Sequence, residues 1–183
     1  MAGYQYLNRE EVRRLRDWHT GLNDKGGHGD RARLRRAVEP MDVVPTPTFV
    51  RFLQAMPECW QNNGDIPLED AALVATLVAH VKTDKPSAPP KSFAHYLATS
   101  REGSSKPAMS ELRFSQLQKS RDLTDFYRRL VRALALLKGD VDIAALANDL
   151  LHWQRERRTT PTRRVQDRLA VRWASDYYAG LTE

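Results

Sequence analysis

The stretch Asp122–Gly139, DLTDFYRRLVRALALLKG, decides the fold class. Phe126, Leu130, Leu134 and Leu137 recur every three or four residues, which puts them on one face of a helix. That helix starts at Asp122, carries Asp125 in its first turn where an acid suits the positive dipole end, and stops at Gly139. The same period continues on both sides. Upstream, one helix is predicted from about Ala108 to Ser120. Downstream, a helix starting near Asp142 presents Ile143, Leu146, Leu150 and Trp153. A last helix follows Thr160-Pro161 and carries Val165, Leu169, Trp173 and Tyr177 at intervals of four.

The N-terminal half reads the same way. In Leu7–Leu22, Asn8 and Glu11 form a reciprocal cap, and Val12, Leu15, Trp18 and Leu22 fall at helical spacing. Lys25-Gly26-Gly27-His28-Gly29 ends that helix, and Asp30 is placed to cap a second one running to about Val38. Pro47, after Thr46, suits the first turn of a helix bearing Phe49, Phe52, Leu53 and Met56. A loop around Asn62-Asn63-Gly64-Asp65 precedes an apolar helix from Leu68 to Val81. Ser92–Leu97 suits a short helix, and Thr99–Lys106 reads as a flexible stretch. No segment alternates with period two for long enough to predict a strand. The expected architecture is all-α, eight to nine helices in two small packed bundles. The proline-rich connection at 83–91 marks the expected boundary between an N-terminal lobe at 1–82 and a C-terminal lobe at 92–183.

With 183 residues the chain has enough material for a core without disulfide or metal staples. Cys59 is the sole cysteine, which excludes an intrachain disulfide and favours a reducing compartment. The N-terminus lacks a secretory pattern and the apolar segment Ala71–Val81 is too short to span a bilayer, so a cytoplasmic protein is expected. The net charge of +6 is unevenly spread. Residues 101–138 carry nine Lys+Arg against four Asp+Glu, whereas the other two stretches are almost balanced. Most of that excess is arginine, whose planar fork suits phosphate.

Catalytic patterns are missing. The five histidines are scattered, and none is spaced from another as in a zinc hydrolase. Gly26-Gly27-His28-Gly29 lacks the lysine and hydroxyl residue of a phosphate loop and reads as a helix terminator. Asp140 and Asp142 read as caps rather than a metal pair. Trp173 and Tyr177 lie on the apolar stripe and read as core residues rather than base-stacking platforms. No enzyme, metal or cofactor is expected.

Three arginine clusters remain. Arg31, Arg33, Arg35 and Arg36 cannot all leave one helix on the same side. Leu34 and Ala37 must face the core, which directs Arg35 and Arg36 outward with Arg31 or Arg33 beside them. The second cluster is Arg113, Lys119 and Arg121, joined one helix later by Arg128, Arg129 and Arg132. Its basic residues outnumber Asp122 and Asp125, and uncompensated like charge destabilises a bare helix, which points to phosphate binding. Arg155, Arg157, Arg158, Arg163 and Arg164 form the third, with Glu156 and Asp167 close by.

The order of these features resembles a known family. Gly29-Asp30-Arg31-Ala32, Leu34-Arg35-Arg36-Ala37, Arg113-Phe114, Arg128-Arg129-Leu130-Val131, Asp149-Leu150-Leu151 with Trp153, and Arg172-Trp173-Ala174 with Asp176-Tyr177-Tyr178 are similar in sequence and order to the CasB family. That family is the small subunit of the type I-E CRISPR surveillance complex, Cascade. The resemblance runs from Trp18 to Tyr178 and departs from the pattern at His19 and Ile143, where tryptophan is common. It implies an all-helical, non-catalytic subunit of an antiviral ribonucleoprotein, paired with a second copy of itself and docked on other Cascade subunits. It further implies a basic groove that steadies the displaced non-target DNA strand and contacts the guide RNA–target hybrid. Carried onto matching positions, the nucleic-acid-binding residues are Arg35, Arg36, Arg113, Lys119, Arg121, Arg128 and Arg129. Helical geometry adds Arg132. Holding a strand of any sequence needs phosphate contacts, since guide pairing already supplies specificity.

Two other classes fit the same residues. A stand-alone helix-turn-helix protein would read bases from the Arg113–Arg132 region, with Gln116 and Gln118 as the nearby base-reading candidates. A protein-interaction scaffold would dock its arginines on acidic partners.

Overall fold

The computed structural model describes residues 5–61, 64–100, 104–160 and 164–182. Among them lie α1 (Arg9–Asn23), α2 (His28–Arg35), α3 (Pro47–Ala55), α4 (Leu68–Val78), α5 (Phe93–Ala98), α6 (Glu111–Gln118), α7 (Leu123–Leu136), α8 (Ile143–Arg158) and α9 (Leu169–Gly180). The fold is all-α, as its periodicity predicts. Four of these nine helix starts follow local cap chemistry. Asn8 Oδ1 accepts from the Glu11 amide at 2.9 Å while Glu11 Oε2 accepts from the Asn8 amide at 2.7 Å, closing the reciprocal cap of α1. Thr46 caps α3 ahead of Pro47, Asp122 caps α7 through the Asp125 amide, and Asp142 caps α8 through the Ala144 amide.

Four local expectations are corrected. Asp30 does not cap α2, whose N-cap is Gly27. Its carboxylate turns to α3 instead, accepting from Thr48 Oγ1 and Arg51 Nε at 2.8 Å each, so a tertiary ion pair outcompetes the cap. Asp140 does not cap a helix either. It lies in a two-residue strand and binds Lys85 Nζ at 2.6 Å. That strand, β2 (Asp140–Val141), pairs in parallel with β1 (Thr83–Asp84), a contact too short to leave any period in the sequence. Finally, α9 starts only at Leu169, and Val165 stands off the apolar stripe with 54% of its surface exposed. The reason is long-range: Glu156 of α8 accepts from the Leu169 amide at 2.9 Å and fixes the start there. The expected start near Pro161 lies outside the described residues, as does part of the Thr99–Lys106 stretch.

Two helices form the centre. Every residue of α4 from Asp70 to Val78 is buried, and α8 is buried from Ile143 to His152. A helix that is apolar on all sides needs neighbours on all sides, and α4 and α8 supply one to each other. Around them lie α1, α2, α3 and α7, while α5 and α9 pair closely at one end. Gly180 permits that approach, since a Cβ there would sit 2.9 Å from that of Ala98.

The start of the proline-rich segment is tied down. Gly139, with φ of +79°, turns the chain after α7 and offers its carbonyl to the Lys82 and Thr83 amides at 2.7 and 3.2 Å. Arg16 of α1 then reaches Asp84 at 2.8 Å and Asp142 at 3.0 Å. One apolar cluster runs from Leu7 to Tyr177 through all nine helices.

Candidate nucleic-acid interface

The surface of α7 follows from its wheel. Phe126, Leu130, Ala133 and Leu134 are buried, which turns Arg128 and Arg132 to the opposite, exposed ridge. Tyr127 and Arg129 occupy the two flanks. On the Arg129 flank runs α6, where Phe114 and Leu117 go into the core and Arg113 stays exposed. The two helices enclose a groove of about 400 Å³ lined by Arg113, Gln116, Arg129 and Arg132 over Met109 and Leu117, with Ala135 and Leu136 at its edge. Three of the eight candidate arginine and lysine residues therefore meet in one groove.

The others are placed around it. Arg128 stands on the outer ridge of α7, and Lys119 and Arg121 are exposed at the α6–α7 turn. Arg35 and Arg36 are exposed at the C-terminal end of α2 but do not line the groove. Tyr127 Oη donates to the Ala37 carbonyl at 3.1 Å, so the end of α2 abuts the far flank of α7. The candidates thus lie on both sides of that helix, with Arg128 and Arg132 between them.

Acidic compensation is sparse. Asp122 is committed to its cap, and Asp125 accepts from Arg129 Nε at 2.8 Å and from the Arg121 amide at 3.2 Å. Desolvation pushes the Asp125 carboxyl up, but its bonds to Arg129 and the Arg121 amide outweigh that and hold it below the usual range. Arg129 is therefore paired with and oriented by Asp125.

The remaining arginines divide by tertiary contact. Arg31 is structural: it donates to the Ala79 and Val81 carbonyls at 3.1 and 2.7 Å, and also to Asn23. Arg158 pairs with buried Asp70, which also accepts from Gln154 at 3.0 Å. Arg155 lies over the Tyr6 ring. Arg157 behaves differently. Its guanidinium covers the Trp153 ring at 4.5 Å, that ring stacks on Phe126 at 3.9 Å, and its Nη1 reaches the Arg121 carbonyl at 3.4 Å. It thereby joins the basic α6–α7 turn, a placement that the four-residue spacing from Trp153 signals only once α8 is known to pass α7. Arg163 lies outside the described residues.

The core aromatics are not available to a ligand. Trp173 and Tyr177 are buried, donating to Asp149 Oδ2 at 2.7 Å and to the Met109 carbonyl at 2.6 Å. Cys59 donates to Glu11, and burial with that carboxylate pushes its thiol up to about 11, far from nucleophilic. Among the described residues, no group of three or more His, Cys, Asp or Glu is placed to hold a metal.

Comparison with known proteins now decides the kinship. The family model described as CRISPR-associated protein Cse2 matches residues 30–178, which takes in α2 through α9 almost entirely. The chain belongs to the Cse2 family. Cse2 is the CasB small subunit of type I-E Cascade, the family that the arginine and tryptophan motifs resemble. A curated relative named CRISPR-associated protein Cse2, from Thermus thermophilus, is 34% identical over 178 residues. The match covers 93% of this chain and 92% of that one. No solved structure matches. Among the described residues of this Cse2-family chain, no helix is long and apolar enough to cross a membrane.

Proposed function

We propose that this chain acts as a non-catalytic subunit of Cascade, holding the displaced non-target DNA strand, and the R-loop it belongs to, by its phosphates. The observation that carries the reading is the α6–α7 surface. Arg113, Arg129 and Arg132 line one groove there and Arg128 stands exposed on the ridge beside it, while Asp125 pairs with Arg129. Lys119 and Arg121 extend the surface at the turn, and Arg35 and Arg36 extend it beyond α7. Exchanging a DNA duplex for an RNA–DNA hybrid is nearly balanced in free energy, so contacts that favour the freed strand bias the exchange towards the open state. Backbone contacts suffice for this, because guide pairing reads the sequence. In the assembled particle the chain is seated beside a second copy of itself and other Cascade subunits in the cytoplasm.

The test measures binding of the purified chain to single-stranded DNA, duplex DNA and an R-loop mimic across salt concentrations. The Arg113→Ala/Arg128→Ala/Arg129→Ala variant is run in parallel. Strand holding predicts sequence-independent binding that weakens steeply with salt, with a log–log slope reduced by about 0.7 for each single-strand phosphate contact removed. Binding confined to one palindromic duplex site would replace this reading with the helix-turn-helix one. Affinity indifferent to salt would favour a protein scaffold.

A further inference from the structure

The α6–α7 groove is charged only at its rim. Its floor is made by Met109 and Leu117, both buried, and its edge is continued by Ala135 and Leu136. A phosphate held by Arg113, Arg129 and Arg132 gains nothing from such a floor, because an anion set against apolar atoms loses solvation without a partner. A nucleotide fits both parts. Its base covers the accessible apolar atoms of Ala135 and Leu136 above that floor while the flanking phosphates meet the guanidinium groups, and guanidinium planes also stack on bases. The volume of about 400 Å³ falls within the range of small-molecule sites, roughly 300–1,000 Å³.

Gln116 adds a polar group at the right place. It lines the groove, is exposed, and its carboxamide makes no hydrogen bond among the described residues. Gln118, two residues on, is committed: its Nε2 donates to the Ala170 carbonyl at 2.9 Å. A carboxamide both donates and accepts, so Gln116 can pair with some edge of any of the four bases.

We infer that the groove between α6 and α7 is a base pocket that takes one unstacked nucleobase of a single DNA strand, with Gln116 at the base edge and Arg113, Arg129 and Arg132 on the flanking phosphates. The inference rests on the strand-holding reading and deepens it. The strand is gripped by one inserted base as well as by its backbone, without sequence preference.

The experiment compares two oligodeoxynucleotides of equal length and equal phosphate number, one intact and one built of abasic sites, by fluorescence anisotropy with the full chain. The intact strand is expected to bind about tenfold more tightly at equal salt, the stacking worth of one seated base, with the same salt slope. Ala135→Leu fills the groove from its exposed edge without adding a stacking ring and should lower the affinity of the intact strand to that of the abasic one, leaving the abasic strand unaffected. Gln116→Ala, an exposed substitution that leaves the core untouched, should weaken only the intact strand, by about threefold for one lost hydrogen bond. Equal affinity of both oligonucleotides with equal salt slopes would overturn the base pocket and leave strand holding intact. A preference for the intact strand that survives both substitutions would also overturn it, by placing the base elsewhere. Binding of neither strand at low salt would overturn strand holding and the pocket together.

Discussion

Arg31 Nη2 donates to the Val81 carbonyl at 2.7 Å, and His19 Nε2 meets the same oxygen at 2.9 Å. With Nε on the Ala79 carbonyl, the guanidinium closes the C-terminal end of α4, where carbonyls have no intrahelical donor. An arginine from the densest basic cluster therefore serves the core. Arg31→Ala is expected to lower stability by about 2 kcal/mol, the loss of charge-assisted bonds to the carbonyls of two buried residues. The salt dependence of single-strand binding should stay as in the parent chain. Urea unfolding and binding isotherms on the same preparation check both halves of the prediction.

Asp125 restrains Arg129 at 2.8 Å. Asp125→Asn removes that charge without changing the side-chain shape, so single-stranded DNA should bind more tightly, with a salt slope steeper by up to about 0.7. Stability should move the other way. The folded-state pKa of Asp125 is depressed, so its contribution is present above the ordinary carboxylate range and is lost as pH falls through the folded value. Denaturation midpoints of the two proteins should differ at neutral pH and converge in acid.

Arg35 and Arg36 follow the α2 end that abuts the Tyr127 flank of α7 and do not line the groove that Arg113 and Arg132 share. Sites that share no partners contribute additively, within about 0.5 kcal/mol. A cycle combining Arg35→Ala/Arg36→Ala with Arg113→Ala/Arg132→Ala should therefore show no coupling in single-strand affinity. Strong coupling would mean that both pairs grip the same phosphates.

Asp149 is wholly buried, where it accepts from the Phe93 amide at 2.8 Å and Trp173 Nε1 at 2.7 Å. Desolvation raises its carboxyl to about 6, against the opposing pull of those donors, Asn148 and the Arg172 charge. The folded state therefore holds this proton more tightly than the unfolded state does. Stability from this group is full below the ordinary carboxylate range and declines as pH rises towards 6, by a few kcal/mol at most. Asp149→Asn keeps an acceptor for both donors and should flatten that decline. Denaturation at pH 4.5 and pH 7 in both proteins isolates the effect from the other carboxylates.

Local chemistry is legible in the chain wherever both partners lie within one turn. The Asn8–Glu11 cap, Thr46-Pro47, and the Asp122 and Asp142 starts all form as their local patterns predict. Asp30 and Asp140 have the same local credentials, yet Arg51 and Lys85 take their carboxylates from across the fold. The start of α9 departs from its local pattern for the same reason, since its cap, Glu156, is on another helix.

Periodicity within the chain suffices for the all-helical class and for the exposed ridge of α7, because a helix displays its residues by a local repeat that Phe126, Leu130 and Leu134 set. Which arginines are free to meet a ligand depends instead on long-range contacts. The partners that commit Arg31 and Arg158 lie 48 to 88 residues away along the chain, at the end of α4 and at Asp70, and no local pattern encodes such a meeting. The groove is of the same kind: Arg113 and Arg129 meet over Met109 and Leu117 because α6 folds back along α7, bringing charge and apolar floor together from separate helices.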